Sequence, residues 1–339
     1  MRWLAAHPGP SFSVQDVYTG WVEALRDLGQ HIVEFNLGDR LTLYDSALLE
    51  VGPQMVRKAL SPEQAIELAV NGLYAALYKV HPDVLFVVSG FMVPAELLDL
   101  ARAYGTRVVI LHTESPYEDQ RQLALAAHAD LNLLNDPTNI DQFRAVAPAH
   151  YMPHSFRPSV HHPGPAIPEL KCDFAFVGTG YASRIGFFEA MNLDGLDVVL
   201  AGNWQQLAEE SPLRGYVSHD PAECLDNADA VDVYRSARCG INLYRREAER
   251  PDLSAGWSCG PREIEMAATG LFFLRDPRPE GDELFPMLPT FTGPQDASEQ
   301  LRWYLDRDDL RHDLAVKACE AVADRTFRNN ARSLLELLA

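Results

Sequence analysis

The sequence predicts an α/β protein built from two doubly wound, parallel-sheet domains. Three observations carry the prediction. Short apolar runs alternate with stretches of helical spacing along most of the chain. The length, 339 residues, is about twice that of a typical domain of roughly 150 residues. The alternation is interrupted once, at residues 148–168, where six prolines in 21 residues exclude both helix and central strand. This proline-rich stretch is expected to join a first domain, residues 1–155, to a second, residues 169–322. Residues 323–339 are expected to form a C-terminal helix that packs back on the first domain.

The elements follow in order. Residues 2–6 read as a strand that ends at HPGPS (7–11). Val17, Trp21, Leu25 and Leu28 fall at helical spacing within residues 14–28, and Gly29 ends that helix. HIVEF (31–35) is a second strand. DVLFVVSG (83–90) is continuously apolar, as a strand covered on both faces must be. A helix follows Pro94, then the strand RVVILHT (107–113), the helical LALAAHA (123–129) and the strand DLNLLND (130–136). Beyond the proline-rich stretch, strands are expected at CDFAFVG (172–178), LDVVLAG (196–202), CGINLYR (239–245) and LFFLRD (271–276). Helices are expected at residues 185–191, 230–237 and 261–270, and one or two more after Ser298.

Composition narrows the function. There are 29 basic and 48 acidic residues, so 29 − 48 gives a net charge of −19. Nucleic-acid and membrane-surface partners need clustered Lys and Arg, and this balance argues against both. No run of about 18 apolar residues exists to span a membrane. The N-terminal apolar run is cut short by His7 and Pro8, unlike a secretory signal. Five cysteines (Cys172, Cys224, Cys239, Cys259, Cys319) include no C-x-x-C pair and read as reduced thiols, so a cytoplasmic location is expected. A small anionic ligand needs only a local basic pocket and stays open.

Ligands of open α/β sheets sit at the carboxyl ends of the strands. In the second domain, Gly178-Thr179-Gly180 lies between a strand and a helix, where backbone N–H groups can meet a phosphate. The dinucleotide fingerprint wants a third glycine where Ser183 stands, so a simple tight turn is an equal reading. Arg184, in the first helical turn, can fork onto a phosphate or lie solvated on the surface. Asn203 and Trp204 end the next strand, and Trp204 can stack on a base or fill the core. Asn242, Tyr244, Arg245 and Arg246 end the strand after that, and paired arginines suit a diphosphate. In residues 259–270, Pro261 suits the first helical position. Arg262 then sits at the positive helix end, with Glu265 one turn on at i, i+3. The bland alternative for these two is a surface salt bridge.

The segment GPREIEMAATGLFFLRDPRPEGDELFP (260–286) resembles the R-x-x-E-x-A-A-x-G, strand and D-x-x-x-E sequence of CgeB-like glycosyltransferases, which carry a C-terminal domain of the glycosyl-transferases group 1 type. FVGTGYASRIGFFEAM (176–191), VYRSARCGINLYR (233–245) and PHSFRPSVHHP (153–163) stand in the same order as in that family. The resemblance covers most of residues 150–325 and only loosely residues 1–149. It implies a GT-B fold, two Rossmann-like domains facing across a cleft, with a nucleotide-sugar donor held mainly by the second. Glu265 matches the glutamate that holds the donor ribose. Arg262 and Gly178–Gly180 match positions near the diphosphate. Trp257 stands where related retaining families carry a second glutamate, which puts direct transfer of their mechanism in doubt.

The resemblance also implies a metal-independent transfer from a nucleotide sugar, such as a UDP-sugar, to a hydroxyl acceptor on a protein, a glycan or a small molecule. The one D-x-D, Asp306-Arg307-Asp308, lies in the helical tail and reads as a solvated face. Arg184, Arg262 and two helix N-termini are the candidates for stabilising the diphosphate leaving group. A general base for the acceptor is sought after the strand RVVILHT, at His112 or Glu114, with His7 and its HPGPS loop as a second acceptor site. Two rivals remain: an NAD(P)-dependent oxidoreductase, hinted at by Gly178-x-Gly180 and Asp197, and a degenerate, non-catalytic binding protein of a surface or particle. Donor base, acceptor, stereochemistry and oligomeric state are left open.

Overall fold

Every strand of the two main sheets runs parallel to its neighbours, as buried, uninterrupted apolar strands require. The computed structural model describes residues 1–339 except 10–13, 51, 53–55 and 223. The chain divides into two compact units, residues 1–153 with 331–339, and residues 154–330.

The first unit begins with β1 (Arg2–Ala6), α1 (Gln15–Asp27), β2 (His31–Phe35) and α2 (Leu37–Asp45). A small antiparallel ribbon follows, β3 (Leu48–Glu50) with β4 (Val56–Lys58). Then come α3 (Pro62–Val80), β5 (Val84–Val88), α4 (Ala95–Ala103), β6 (Arg107–His112), α5 (Asp119–Ala126), β7 (Leu131–Leu134), α6 (Ile140–Arg144) and β8 (Ala149–Tyr151). The main sheet has the order β2-β1-β5-β6-β7-β8. All five residues of β5 are buried, as its unbroken apolar run predicts. α3 starts with a full capping box, Ser61 accepting from the Gln64 N–H and Gln64 from that of Ser61, with Pro62 at the first turn.

The second unit contains β9 (Cys172–Val177), α7 (Ala182–Ala190), β10 (Val198–Ala201), α8 (Asn227–Ser236), β11 (Ala237–Asn242), α9 (Pro261–Thr269) and β12 (Phe273–Arg275), with sheet order β10-β9-β11-β12. Its core is rich in aromatics: Phe188 of α7 meets Phe174, Phe176 and Trp204, and Phe176 also meets Trp204. The helices α10 (Pro279–Leu284), α11 (Pro294–Leu305), α12 (Asp308–Ala321) and α13 (Phe327–Leu337) follow. Among the described residues, no helix is long and apolar enough to cross a membrane.

The proline-rich stretch packs into the second unit over residues 154–168. Phe156 N–H bonds to the Arg325 carbonyl (2.9 Å), Ile167 N–H to Ser236 Oγ (2.9 Å), and Arg235 Nη2 to the His162 carbonyl (2.9 Å). Prolines exclude regular ladders but leave carbonyls that such donors can pin. The tail forms three helices, not one or two, with breaks at residues 306–307 and 322–326. Residues 298–339 contain neither Gly nor Pro, so nothing in the sequence punctuates them.

Candidate functional site

In the second unit the loops after neighbouring strands are tied together at their carboxyl ends. Gly178 N–H bonds to the Ala201 carbonyl (2.9 Å) and Gly180 N–H to that of Asn203 (2.7 Å). Gly202 has φ +104°, and a Cβ there would lie 2.6 Å from the Gly178 carbonyl oxygen, so only glycine fits. A Cβ on Gly180 would lie 2.5 Å from the Trp204 ring, so this glycine is set by packing against an aromatic side chain.

α7 begins directly after this loop. Arg184 donates to the Leu243 carbonyl (Nε, 2.9 Å) and the Thr179 carbonyl (Nη1, 3.0 Å), with its guanidinium 5.2 Å from the Tyr181 ring centre. Arg245 faces the same ring at 5.8 Å and reaches the Tyr181 hydroxyl at 3.5 Å. Two of the arginines expected at the site therefore converge on Tyr181. Arg246 does not join them; it forms a two-pronged pair with Asp276 after β12 (2.8 and 2.9 Å). Ser183 presents its N–H and hydroxyl to the Glu247 carboxylate (2.9 and 3.0 Å).

α9 supplies the second half of the site. Arg262 Nη1 contacts Glu265 Oε2 at 2.7 Å, and Asn227 approaches both (3.4 Å to Arg262, 3.5 Å to Glu265). Glu265 is buried, and burial alone would raise its pKa. The Arg262 charge, a charge contribution from His161 and hydrogen bonds from Arg262 and Asn227 outweigh burial and hold it below the ordinary range, so it is a carboxylate at neutral pH. Two positions earlier, Glu263 is fully buried and burial pushes its pKa up to about 7. Hydrogen bonds from the Tyr244 hydroxyl and Gly260 N–H (2.9 Å for the latter) and the charges of Arg275 and Arg278 oppose that shift. The Tyr244 ring lies under the Arg278 guanidinium (3.9 Å), and its N–H bonds to Asp276 (3.1 Å). Glu263 Oε1 and Asn242 Nδ2 are buried without a hydrogen-bond partner among the described residues, which leaves unused polar capacity beside the α9 N-terminus.

Trp204 and His112 both lie in the packed interior. Trp204 is fully buried, donates its indole N–H to the Ala201 carbonyl (3.2 Å) and packs on Phe176 and Phe188, so it is core and offers no face to a base. In the first unit His112 is also fully buried. Its Nε2 meets Asn132 Oδ1 (2.8 Å), its ring packs on Phe143, and burial lowers its pKa to about 4. In this structure His112 is therefore a neutral imidazole closed off from solvent, with its Nδ1 lacking a hydrogen-bond partner among the described residues. Glu114, half-buried at the carboxyl end of β6, stays a candidate; its N–H bonds to Gln122 Oε1 (3.1 Å).

His7 ends β1. Its Nδ1 accepts from Gly9 N–H (3.2 Å), its ring meets Tyr18 edge-on (4.9 Å), and burial lowers its pKa. Pro10 and Ser11 of the HPGPS loop lie outside the described residues. Trp257, which replaces the second family glutamate, accepts the Glu280 N–H on its carbonyl (3.0 Å). Asn203 Oδ1 takes the Gln205 N–H (3.1 Å), and Asp308 of the D-x-D pairs with Arg238 (3.0 Å) and Arg311 in the helical tail.

Sequence reasoning passed over Glu263, Glu247, Asn227 and Arg278, and met Asp276 only as the first acid of the D-x-x-x-E pattern. Glu263 carried a legible signal, since Gly260 with a Glu three residues on is a capping pattern. Glu247 and Asn227 reach their partners from 64 and 38 residues away, and no local pattern marks them.

Residues 184–336 match a family model described as glycosyl transferase-like. No curated protein matches the chain. Among solved structures, sucrose-phosphate synthase from Thermosynechococcus elongatus superimposes with a TM-score of 0.67 at 14% identity, covering 100% of this chain and 98% of that one. An α-glucosyltransferase in complex with UDP and a 13-mer DNA gives 0.65 at 12%, covering 100% and 98%. A putative UDP-N-acetylglucosamine 2-epimerase from Listeria monocytogenes gives 0.61 at 13%, covering 99% and 95%. The fold is GT-B. At these identities the likeness establishes the GT-B architecture and leaves the chemistry to be argued from the site.

Proposed function

We propose that the chain is a glycosyltransferase of the CgeB-like kind, which binds a nucleoside-diphosphate sugar on its second unit and passes the sugar to a hydroxyl acceptor without a metal ion. The observation that carries this reading is the Arg262–Glu265 pair at the start of α9, inside the segment that matches a glycosyl transferase-like model. Glu265, kept ionised, can accept hydrogen bonds from two ribose hydroxyls. Arg262 orients it and adds positive charge at the helix end. In this reading Arg184, Arg245 and the N-termini of α7 and α9 supply the positive charge and N–H groups for a diphosphate.

In the reaction the bond from the anomeric carbon to the diphosphate oxygen breaks, the acceptor oxygen bonds to that carbon, and the acceptor proton passes to a base. The leaving diphosphate gains charge as this happens, and donors already in place stabilise it without reorganising. Glu114 and His112 are the candidates for the base in an inverting reaction, and His7 is a second candidate contact for the acceptor.

UDP is the first nucleotide to try, because the α-glucosyltransferase neighbour is described with UDP and another, from E. coli, with UDP-2-fluoro glucose. Calorimetric titration of UDP, GDP and TDP should find at least one that binds the parent. Arg262→Ala and Glu265→Ala should weaken that nucleotide about 100-fold, the loss of two charge-assisted contacts. Equal binding by both variants would show the site to be misplaced. Incubation with UDP-sugars separates the chemistry: release of UDP supports transfer, inversion at sugar carbon 2 with no UDP supports an epimerase, and no turnover supports a binding protein.

A further inference from the structure

Glu247 carries an observation that the donor reading does not use. It belongs to the strap of residues 243–260 that runs from the end of β11 to the start of α9, with regular structure only in a short 3-10 turn at Pro251–Leu253. Its carboxylate sits on the N-terminus of α7. Ser183 N–H and Oγ donate to its two oxygens (2.9 and 3.0 Å), and Arg246 N–H donates to one of them (3.0 Å). α7 has no side-chain cap of its own from Tyr181, so Glu247 fills that place. It thus contacts Ser183, the sequence neighbour of Arg184, and stands two residues after Arg245. The N-terminus of α7, one of the places the donor reading gives to a phosphate, thus holds an anion supplied by the protein itself.

We propose that Glu247 is a gate on the phosphate seat: its carboxylate competes with the donor diphosphate for the start of α7, and the donor binds fully only by displacing it. The inference rests on the donor reading above and adds how that site is regulated. An intramolecular carboxylate acts at an effective concentration on the order of millimolar. Free phosphate or pyrophosphate, anchored by nothing else, competes poorly against it. A nucleoside diphosphate has a second anchor at Glu265, which holds it beside the seat while the gate opens. The strap can yield without disturbing the sheet, since it leaves β11 after Asn242 and rejoins regular structure only at α9. Because its far end is the cap of α9 at Gly260, displacement at α7 and closure around the donor at α9 are movements of one segment. The gate gives the site selectivity for nucleotides over simple anions, in a protein whose charge of −19 already disfavours them.

The test titrates the full chain, the variants Glu247→Gln and Glu247→Ala, and Glu265→Ala with inorganic pyrophosphate, UDP, GDP, TDP and uridine, with circular dichroism as the check on folding. Glu247→Gln keeps the shape and loses the charge, and Glu247→Ala also removes the oxygen that Gln can leave on Ser183. Both should bind pyrophosphate and the preferred nucleotide about tenfold tighter than the parent, the effect of one charge-assisted contact. Uridine, which has no phosphate, should bind the parent and the two Glu247 variants alike. Unchanged or weaker pyrophosphate and nucleotide binding in both Glu247 variants overturns the gate. If Glu265→Ala still loses the nucleotide in that case, the donor reading stands alone. Tighter pyrophosphate binding in the Glu247 variants with no dependence on Glu265 keeps the gate and sinks the donor reading. No binding of any probe by parent or variants removes both.

Discussion

The carboxyl ends of the two parallel sheets carry opposite chemistry. In the first unit they gather His7, Glu114, Asp119 and Asp136, and the buried Asp119 is wrapped by Ser115 (2.6 Å), Gln122 (3.0 Å) and Asn139 (2.7 Å). In the second they gather Arg184, Arg245, Arg246, Arg262 and Arg278, interleaved with Glu263, Glu265 and Asp276. One end is acidic and the other is rich in arginine, although the topology is the same. The residues that follow each strand set the difference, which is how open α/β sheets acquire function.

The comparison breaks most visibly if the aromatic layer under the second site is part of the site. Trp204→Ala should cost about 3–5 kcal/mol in denaturant unfolding, because a fully buried ring is lost from a packed core. Nucleotide affinity, measured where the variant is folded, should stay within about threefold of the parent. A small stability loss together with lost binding would put the indole back at the ligand.

The two units also differ in what burial does to their titratable groups. Glu263 in the second unit has its pKa raised from 4.5 to about 7. Its contribution to stability is full below pH 4.5 and is lost as pH rises through 7, because the folded state holds the proton more tightly. His112 in the first unit has its pKa lowered from 6.5 to about 4. Its contribution is present above pH 6.5 and is lost as pH falls toward 4, because the unfolded state takes the proton first. Each shift corresponds to about 3 kcal/mol across its window. Urea titrations from pH 4 to pH 8 should show that Glu263→Gln removes a falling component and His112→Leu removes a rising one. Parallel curves for parent and both variants would mean that neither group is held as the structure shows. Transfer activity kept by the folded fraction of His112→Leu rules the imidazole out as the base, and its loss there supports that role.

How legible each region was follows from the range of its interactions. β5, β6 and β9 read directly from unbroken apolar runs, and α9 from Pro261 at its start and Gly270 at its end, since these are local signals. Arg262 and Glu265 were legible because i, i+3 spacing on a helix determines their contact. His112 carries no deciding local signal, because a histidine that ends a strand reads the same whether it faces a ligand or Phe143. Trp204 was open between base and core for the same reason, since its burial depends on Phe176 and Phe188 from another strand and helix. Glu247 was illegible because its role comes from a strap with no periodicity that meets Ser183 from 64 residues away.

The smallest effect concerns the helical tail. Asp306-Arg307-Asp308 has the spacing of a metal-binding D-x-D, yet it does not follow a strand of either sheet. Asp308 is mostly exposed and its carboxylate takes Arg238 (3.0 Å) and Arg311, which hold its pKa below the ordinary value. An exposed acid already shared by two arginines is a poor metal ligand, because a cation must displace both. The double variant Asp306→Asn/Asp308→Asn should melt within about 2 °C of the parent. Adding Mg²⁺ or Mn²⁺ should shift nucleotide binding of parent and variant by the same factor. A metal-dependent gain in affinity that the parent shows and the double variant loses would place a working cation site in the tail, and the contrast between the two sheet ends would no longer account for how the diphosphate charge is met.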